Sequence, residues 1–218
     1  MVEKPGARDV SGRDEIIARI REAVPVAAAA TPRAAYRRVW AADRAEIIAR
    51  FVERLSDYHV GVIRARGDSE IGQVATRQLA TRGITSLVVP ADMPASWRPS
   101  SPLPREDTGL SLEDLNAAAG AMTGSFIGIA ETGTVVLDGG LGQGRRALTL
   151  LPDYHLCVVR ESDVVGIVPE AIAALQARVM LGAPVTFLSG PSATADIELD
   201  RVEGVHGPRT LDVILVSK

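Results

Sequence analysis

Aromatic side chains are scarce, only 4% of 218 residues, so Ala, Val, Leu and Ile have to fill whatever core forms. Lysine is confined to Lys4 and Lys218, and the other basic residues are arginines. Composition explains most of that bias; the sharper implication is that a few guanidinium forks grip a carboxylate or phosphate. Cysteine occurs once, as Cys157 in the apolar run His155-Leu156-Cys157-Val158-Val159. One thiol can neither close an internal disulfide nor hold zinc or an iron–sulfur cluster by itself, and this setting is that of a core thiol. There is no His-x-x-x-His pair, no Gly-x-Ser-x-Gly elbow and no phosphate-binding P-loop, so no metal ligand set is expected. No apolar run approaches the roughly 18 residues of a membrane helix. The polar Met1–Arg13 stretch also lacks the apolar core of a signal peptide, so the cytoplasm is the expected compartment. A net charge of -3 and a pI near 5.7 argue against a nucleic-acid partner, which selects a basic face.

What is present is an ordinary globular chain, 46% hydrophobic and 23% charged, of one-domain length. Its first part reads as helical. Ile16, Ile17 and Ile20 recur at helical spacing between Asp14 and Ala23, and Pro25 ends the pattern. Thr31-Pro32 offers a cap and a first-turn proline, followed by an apolar stripe from Tyr36 to Leu55. Residues 1–57 are therefore expected to form a helical arm, packed on the main domain or on a neighbouring subunit.

Residues 58–218 change period. His59–Ala65 alternates as a strand, Asp68 caps a helix through Arg82, and Leu87-Val88-Val89 is a short buried strand. That β-α-β unit predicts a parallel sheet. Pro94–Pro104, with Trp97, reads as a surface loop, and Ser111 with Asp114 as a helix cap. Phe126–Ala130 and Thr134–Leu137 suggest a hairpin. His155–Arg160 and Val185–Leu188 read as strands, Pro169–Arg178 as a helix, and Leu211–Val216 as the strand that closes the sheet. The expected fold class is α/β: a three-layer α/β/α arrangement with a mostly parallel or mixed sheet, preceded by the helical arm.

Three polar turns interrupt the second half, each beside a strand, where open α/β sheets bind ligands. In Ala130-Glu131-Thr132-Gly133-Thr134, Glu131 is a candidate general base, nucleophile or orienting carboxylate. Thr132 and Thr134 supply hydroxyls, and Gly133 allows a positive φ or a close approach by a ligand. The alternative is a hairpin whose hydroxyls satisfy their own backbone. The glycine-rich segment Asp138–Arg146 mimics a dinucleotide fingerprint, Gly142-x-Gly144-x-x-Ala147 with Glu161 further on. Too little chain separates Arg145 from Pro152 for a crossover helix, so no cofactor is expected in this chain. Arg145 and Arg146 are better read as an anion clamp. In Ser189–Arg209, Ser192 or Thr194 can cap a short helix, and Asp196 can orient His206 or Arg209. His206, between glycines, is the best acid–base candidate among the three histidines. His59 and His155 begin apolar strands and read as structural.

Four ordered blocks make the whole recognisable. They are Ile129-Ala130-Glu131-Thr132-Gly133-Thr134-Val135-Val136-Leu137; Leu150-Leu151-Pro152-x-x-His155; Ser189-Gly190-Pro191-Ser192-x-Thr194-Ala195-Asp196-Ile197-Glu198; and Gly204-Val205-His206-Gly207-Pro208. Together, from about Gly124 onward, they resemble the LUD family. The chain departs from that pattern at Ser125-Phe126, where relatives carry an acidic residue. The resemblance implies a fold like the sugar-phosphate isomerase and coenzyme A transferase group. It also implies a cluster-free component of an L-lactate utilisation system, oxidising lactate to pyruvate beside iron–sulfur partner proteins. The alternative is an independent enzyme or binding protein for a small anionic metabolite such as a sugar phosphate or acyl-coenzyme A. No membrane partner is expected, and a homo-oligomer is left open.

Overall fold

The computed structural model describes residues 12–23, 35–191, 193–195, 201–203 and 207–218. The expected Thr31-Pro32 helix start lies outside them, as do Ser192, Asp196, His206 and the side chain of Thr194. The chain divides into two units, Met1–Tyr36 and Arg37–Lys218. In the first, α1 (Gly12–Ala23) carries Asp14 and Glu15 in its first turn and Arg21 in its last, the arrangement that complements the helix dipole.

The second unit opens with chain that is neither helix nor strand, and α2 (Arg44–Asp57) begins where the Asp43 carboxylate accepts from the Glu46 amide at 2.8 Å. The helix expected from about residue 31 thus starts later. The stripe at Tyr36, Val39 and Trp40 mimics helical spacing, but residues 35–43 are not helical. α2 packs on the α/β body. Ile48, Phe51 and Leu55 are buried against its central strands.

After α2 come β1 (Gly61–Arg66), α3 (Asp68–Thr81), β2 (Leu87–Pro90), β3 (Arg105–Asp107), α4 (Leu112–Asn116) and β4 (Gly120–Thr123). Then follow β5 (Ile127–Ile129), β6 (Thr134–Leu137), β7 (Tyr154–Arg160), β8 (Val164–Val165), α5 (Val168–Met180) and β9 (Thr186–Leu188). The hairpin β10 (Ala193–Ala195) and β11 (Arg201–Glu203) precedes β12 (Thr210–Ser217). Asp68 is the first residue of α3 rather than its cap; Gly67 holds that position. The expected capping box at Ser111 and Asp114 is present.

Six strands form one sheet in the order β1-β12-β7-β4-β2-β3, every pair parallel. β12, expected to close the sheet, instead lies inside it, between β1 and β7. Its continuous apolar run suits an inner strand covered on both faces. Side chains alternate accordingly: Tyr154, Leu156, Val158, Ile214 and Val216 pack under α3. Cys157, Val159, Leu211, Val213 and Leu215 pack on the other face, under α2. Trp97 is not on the surface; it is buried with Met93 in the α3 layer. There the bulk of its ring outweighs the polar composition of its Pro/Ser surroundings.

β5, β6, β8 and β9 lie outside this sheet and make a second one, ordered β8-β5-β6-β9, with β5–β6 and β6–β9 antiparallel. Its inner residues Ala130, Val135 and Leu137 join the core under α2, while Ile127, Ile129 and Val136 face Ala171 and Leu175 of α5. The architecture is the expected α/β class, a mostly parallel sheet flanked by helices, with this smaller sheet added beneath α5.

Candidate functional site

The polar turn Glu131–Thr134 is the tip of the β5–β6 hairpin, in register Ile129↔Thr134. Its backbone is spoken for: the amides of Ala130 and Glu131 donate to the carbonyls of Val165 (2.8 Å) and Gly166 (2.9 Å). The Thr132 and Thr134 hydroxyls bond each other at 2.7 Å, and Thr134 continues to Ser189 at 2.8 Å. The Glu131 carboxylate, half exposed, accepts from Arg37 Nη2 at 2.6 Å. Gly133 does have positive φ, 59°, but what approaches it is protein. A Cβ there would lie 2.7 Å from the backbone of Arg54. The glycine lets the hairpin tip sit against the last turns of α2.

The glycine-rich segment is a locked loop. Asp138 is buried and accepts from Gly140 N (2.9 Å), Gln143 Nε2 (2.8 Å) and Arg178 Nε (2.5 Å). Arg145 forks onto Asp107 at 2.7 and 3.1 Å and also reaches the Leu110 carbonyl. Burial alone would raise the Asp107 carboxyl, but Arg145 and the amides of Leu110 and Gly109 hold it below its ordinary value. Arg146 donates to Thr186 Oγ1 at 2.6 Å. Beyond it, Arg146–Thr149 forms one short 3-10 turn in place of a crossover helix, so the dinucleotide pattern has no structural counterpart.

Of the residues singled out in the sequence, then, Thr132, Gly133 and Thr134 come together with Ser189. Arg145 and Arg146 do not join them. Arg146 meets the start of β9 and Thr134 its end, about 10 Å away along the strand. Arg209 stands 3.7 Å from Asp153 before β12, both side chains largely exposed. His155 is buried, as expected of a structural histidine. Its Nε2 bonds Thr123 Oγ1 at 2.8 Å, and burial pushes its pKa down to about 4.

A different group gathers at the C-terminal edge of the main sheet. The ends of β1, β12 and β7 open into a cleft of about 410 Å³ lined by Arg44, Gly67, Arg160, Glu161, Ser217 and Lys218, among others. Gly67 turns β1 into α3 with φ 66° and donates its amide to Ser217 O at 2.9 Å. Arg160 grips both oxygens of Asp68 at 2.7 Å and lies over the Trp97 ring, 5.4 Å from its centroid. That fork, as hydrogen-bond partner first and as charge second, keeps the Asp68 carboxyl below its ordinary value. Glu161 pairs with Arg64, and Arg44 Nη1 donates to Val164 O at 2.5 Å. Arg44 and Arg54 are ten residues apart on α2, about 15 Å along its axis, so this cleft and the hairpin tip are separate places. No glycine-rich fingerprint marks the cleft in the first β-α-β unit. The signal there is smaller, one Gly-Asp step, Gly67-Asp68, between strand and helix.

Comparison with known proteins gives this arrangement a family. The LUD domain model matches residues 48–216. The chain belongs to the LUD domain family. This LUD domain is similar to lactate utilization protein C of Deinococcus radiodurans, 45% identical over 176 residues, covering 80% of this chain and 82% of that protein. It is also similar to lactate utilization protein C of Geobacillus kaustophilus, 34% identical over 168 residues, covering 68% and 70%. Among solved structures, a DUF162 family protein from Deinococcus radiodurans matches with a TM-score of 0.70 at 39% identity, covering 80% of this chain and 99% of that one. The likeness therefore reaches well before the blocks that begin near Gly124. It takes in most of α2, the Gly67 turn, the hairpin tip and Arg160.

Proposed function

We propose that this LUD domain is the cluster-free component of an L-lactate utilisation system, serving the oxidation of L-lactate to pyruvate in the cytoplasm together with iron–sulfur partner proteins. The observation that carries this reading is the 45% identity, over 80% of the chain, to a relative named for lactate utilisation. The residues are consistent with the division of labour. Removing two electrons from lactate requires an acceptor, and the single thiol, Cys157, is buried, its pKa pushed up to about 12 by that burial. One thiol cannot ligate an iron–sulfur cluster by itself, so in this reading the cluster belongs to the partner proteins. No described helix is long and apolar enough to cross a membrane.

A clean deletion of the gene tests the reading. The mutant is expected to stop growing on L-lactate as carbon source while growing normally on pyruvate, and a plasmid copy restores it. Undiminished growth on L-lactate, with no second copy of the gene in the genome, would refute it.

A further inference from the structure

The cleft at the C-terminal ends of β1, β12 and β7 has no assigned occupant, and its charged lining side chains are Arg44, Arg160 and Lys218 against Glu161. Its acids are already matched: Glu161 to Arg64, and the neighbouring Asp68 to Arg160. Arg44 has no carboxylate partner among the described residues; its one hydrogen bond is to a carbonyl, Val164 O. A guanidinium carries five N–H donors, so Arg44 keeps donors for a further acceptor, and a fork of that shape fits the paired oxygens of a carboxylate or phosphate. Its placement is unusual for a stabilising surface charge. It is the first residue of α2, where the helix dipole disfavours a cation and favours an anion.

Two further features prepare the same space. Arg160 is fixed from two sides, by Asp68 at its tip and by the Trp97 ring under its face, so little side-chain freedom is left to lose when something binds. At Gly67 an added Cβ would meet nothing within 4 Å, so the strand-to-helix turn leaves room beside it. The volume, about 410 Å³, lies within the range of small-molecule sites.

We propose that this cleft binds a small carboxylate or phosphate anion, with Arg44 as the principal cation and Arg160 as a positioned second one. The proposal rests on the reading of function above for its choice of L-lactate as the first probe, and on the cleft itself for the rest. Such a site binds saturably, and binding to the native state alone raises the melting temperature.

The test is a thermal-shift and calorimetric titration of the full chain with sodium L-lactate and, separately, inorganic phosphate, each against sodium chloride of equal ionic strength. The expected result is a saturable stabilisation beyond the chloride control, by L-lactate if the site takes carboxylates and by phosphate if it takes phosphoryl groups. Arg44→Gln should weaken that binding at least tenfold, measured on protein whose cooperative melting in the absence of anion shows that it is folded. Arg50→Gln, which removes the same charge from the same helix a turn and a half away, should leave it unaltered. No stabilisation beyond chloride by either anion overturns the proposal, as does equal affinity in Arg44→Gln and the parent. Binding is read on purified protein and lactate growth on the deletion strain. A silent titration beside a lactate-negative deletion therefore removes the cleft and keeps the functional reading, and the opposite pattern removes that reading and keeps the cleft.

Discussion

Gly67 and Gly133 share a positive φ, 66° and 59°, in opposite surroundings. A methyl at position 67 would meet nothing within 4 Å, whereas one at 133 would sit 2.7 Å from the Arg54 backbone. Gly67→Ala should cost about 1–3 kcal/mol from backbone strain alone, because φ 66° with ψ 173° is open essentially to glycine. Gly133→Ala should cost about 2–4 kcal/mol, because the hairpin tip must also move off α2. Chemical denaturation checks this; a loss of about 1 kcal/mol or less in Gly133→Ala would mean that the hairpin tip is not wedged on α2. His155 makes a second residue-scale prediction. In the folded chain burial holds its pKa at about 4, below the roughly 6.5 of an unfolded histidine. The unfolded state thus takes up the proton first. The stability contributed by neutral His155 is complete above about pH 6.5 and is lost as pH falls toward 4, on the order of 3 kcal/mol across that window. His155→Gln keeps a partner for Thr123 and cannot titrate, so its stability should fall less steeply between pH 6.5 and 4. Parallel pH profiles for the two proteins would show that His155 is not the titrating group.

At the scale of elements, the N-terminal edge of the main sheet is tied by one buried carboxylate. Asp212 on β12 accepts from Arg82 Nε (2.8 Å) and Nη2 (2.6 Å), Gln78 Nε2 (2.7 Å) and Tyr154 Oη (2.9 Å). It links the end of α3 to β12 and β7. Burial, then the charge of Asp212, pushes the Tyr154 phenol up, so it stays a donor. Asp212→Ala leaves those donors unmet and should cost about 3 kcal/mol, on the lower side for a buried pair because Arg82 reaches water. Asp153→Ala, in an exposed and longer pair with Arg209, should stay within about 0.5 kcal/mol. Urea titrations of the two variants separate the cases, and comparable losses would contradict the assignment of Asp212 as the tie. None of this network was legible in the sequence, because its members are spread from Gln78 to Asp212 and only pairing of distant strands brings them together. β7 and β12 were legible, since inner parallel strands are apolar on both faces. The beginning of α2 was misread because Tyr36, Val39 and Trp40 imitate helical spacing in chain that forms no helix. The hairpin at Glu131 was found from its pattern, but its departure into a second sheet depends on β8 and β9, which a local pattern cannot place. The strand-end cleft stayed hidden for the same reason. Arg44, Gly67, Arg160 and Ser217 share no local motif, and only the sheet order makes them neighbours.

For the whole molecule, the two polar regions have different physical characters. At the hairpin tip the polar groups bond one another, Glu131 to Arg37 and Thr134 to Ser189, which is how a structural corner is held. At the strand ends, acids are paired and a cation is left over, which is how a sheet edge is prepared for an anion. The family relationship connects this chassis to proteins named for lactate utilisation. On the function proposed above, lactate oxidation depends on this chain although it carries one buried thiol. The direct measurement is L-lactate-dependent pyruvate formation in extracts of the deletion strain, with and without the purified chain added back. The account predicts at least a tenfold fall in rate in the deletion extract and recovery when the chain is returned. Equal rates in the deletion and parent extracts would contradict it.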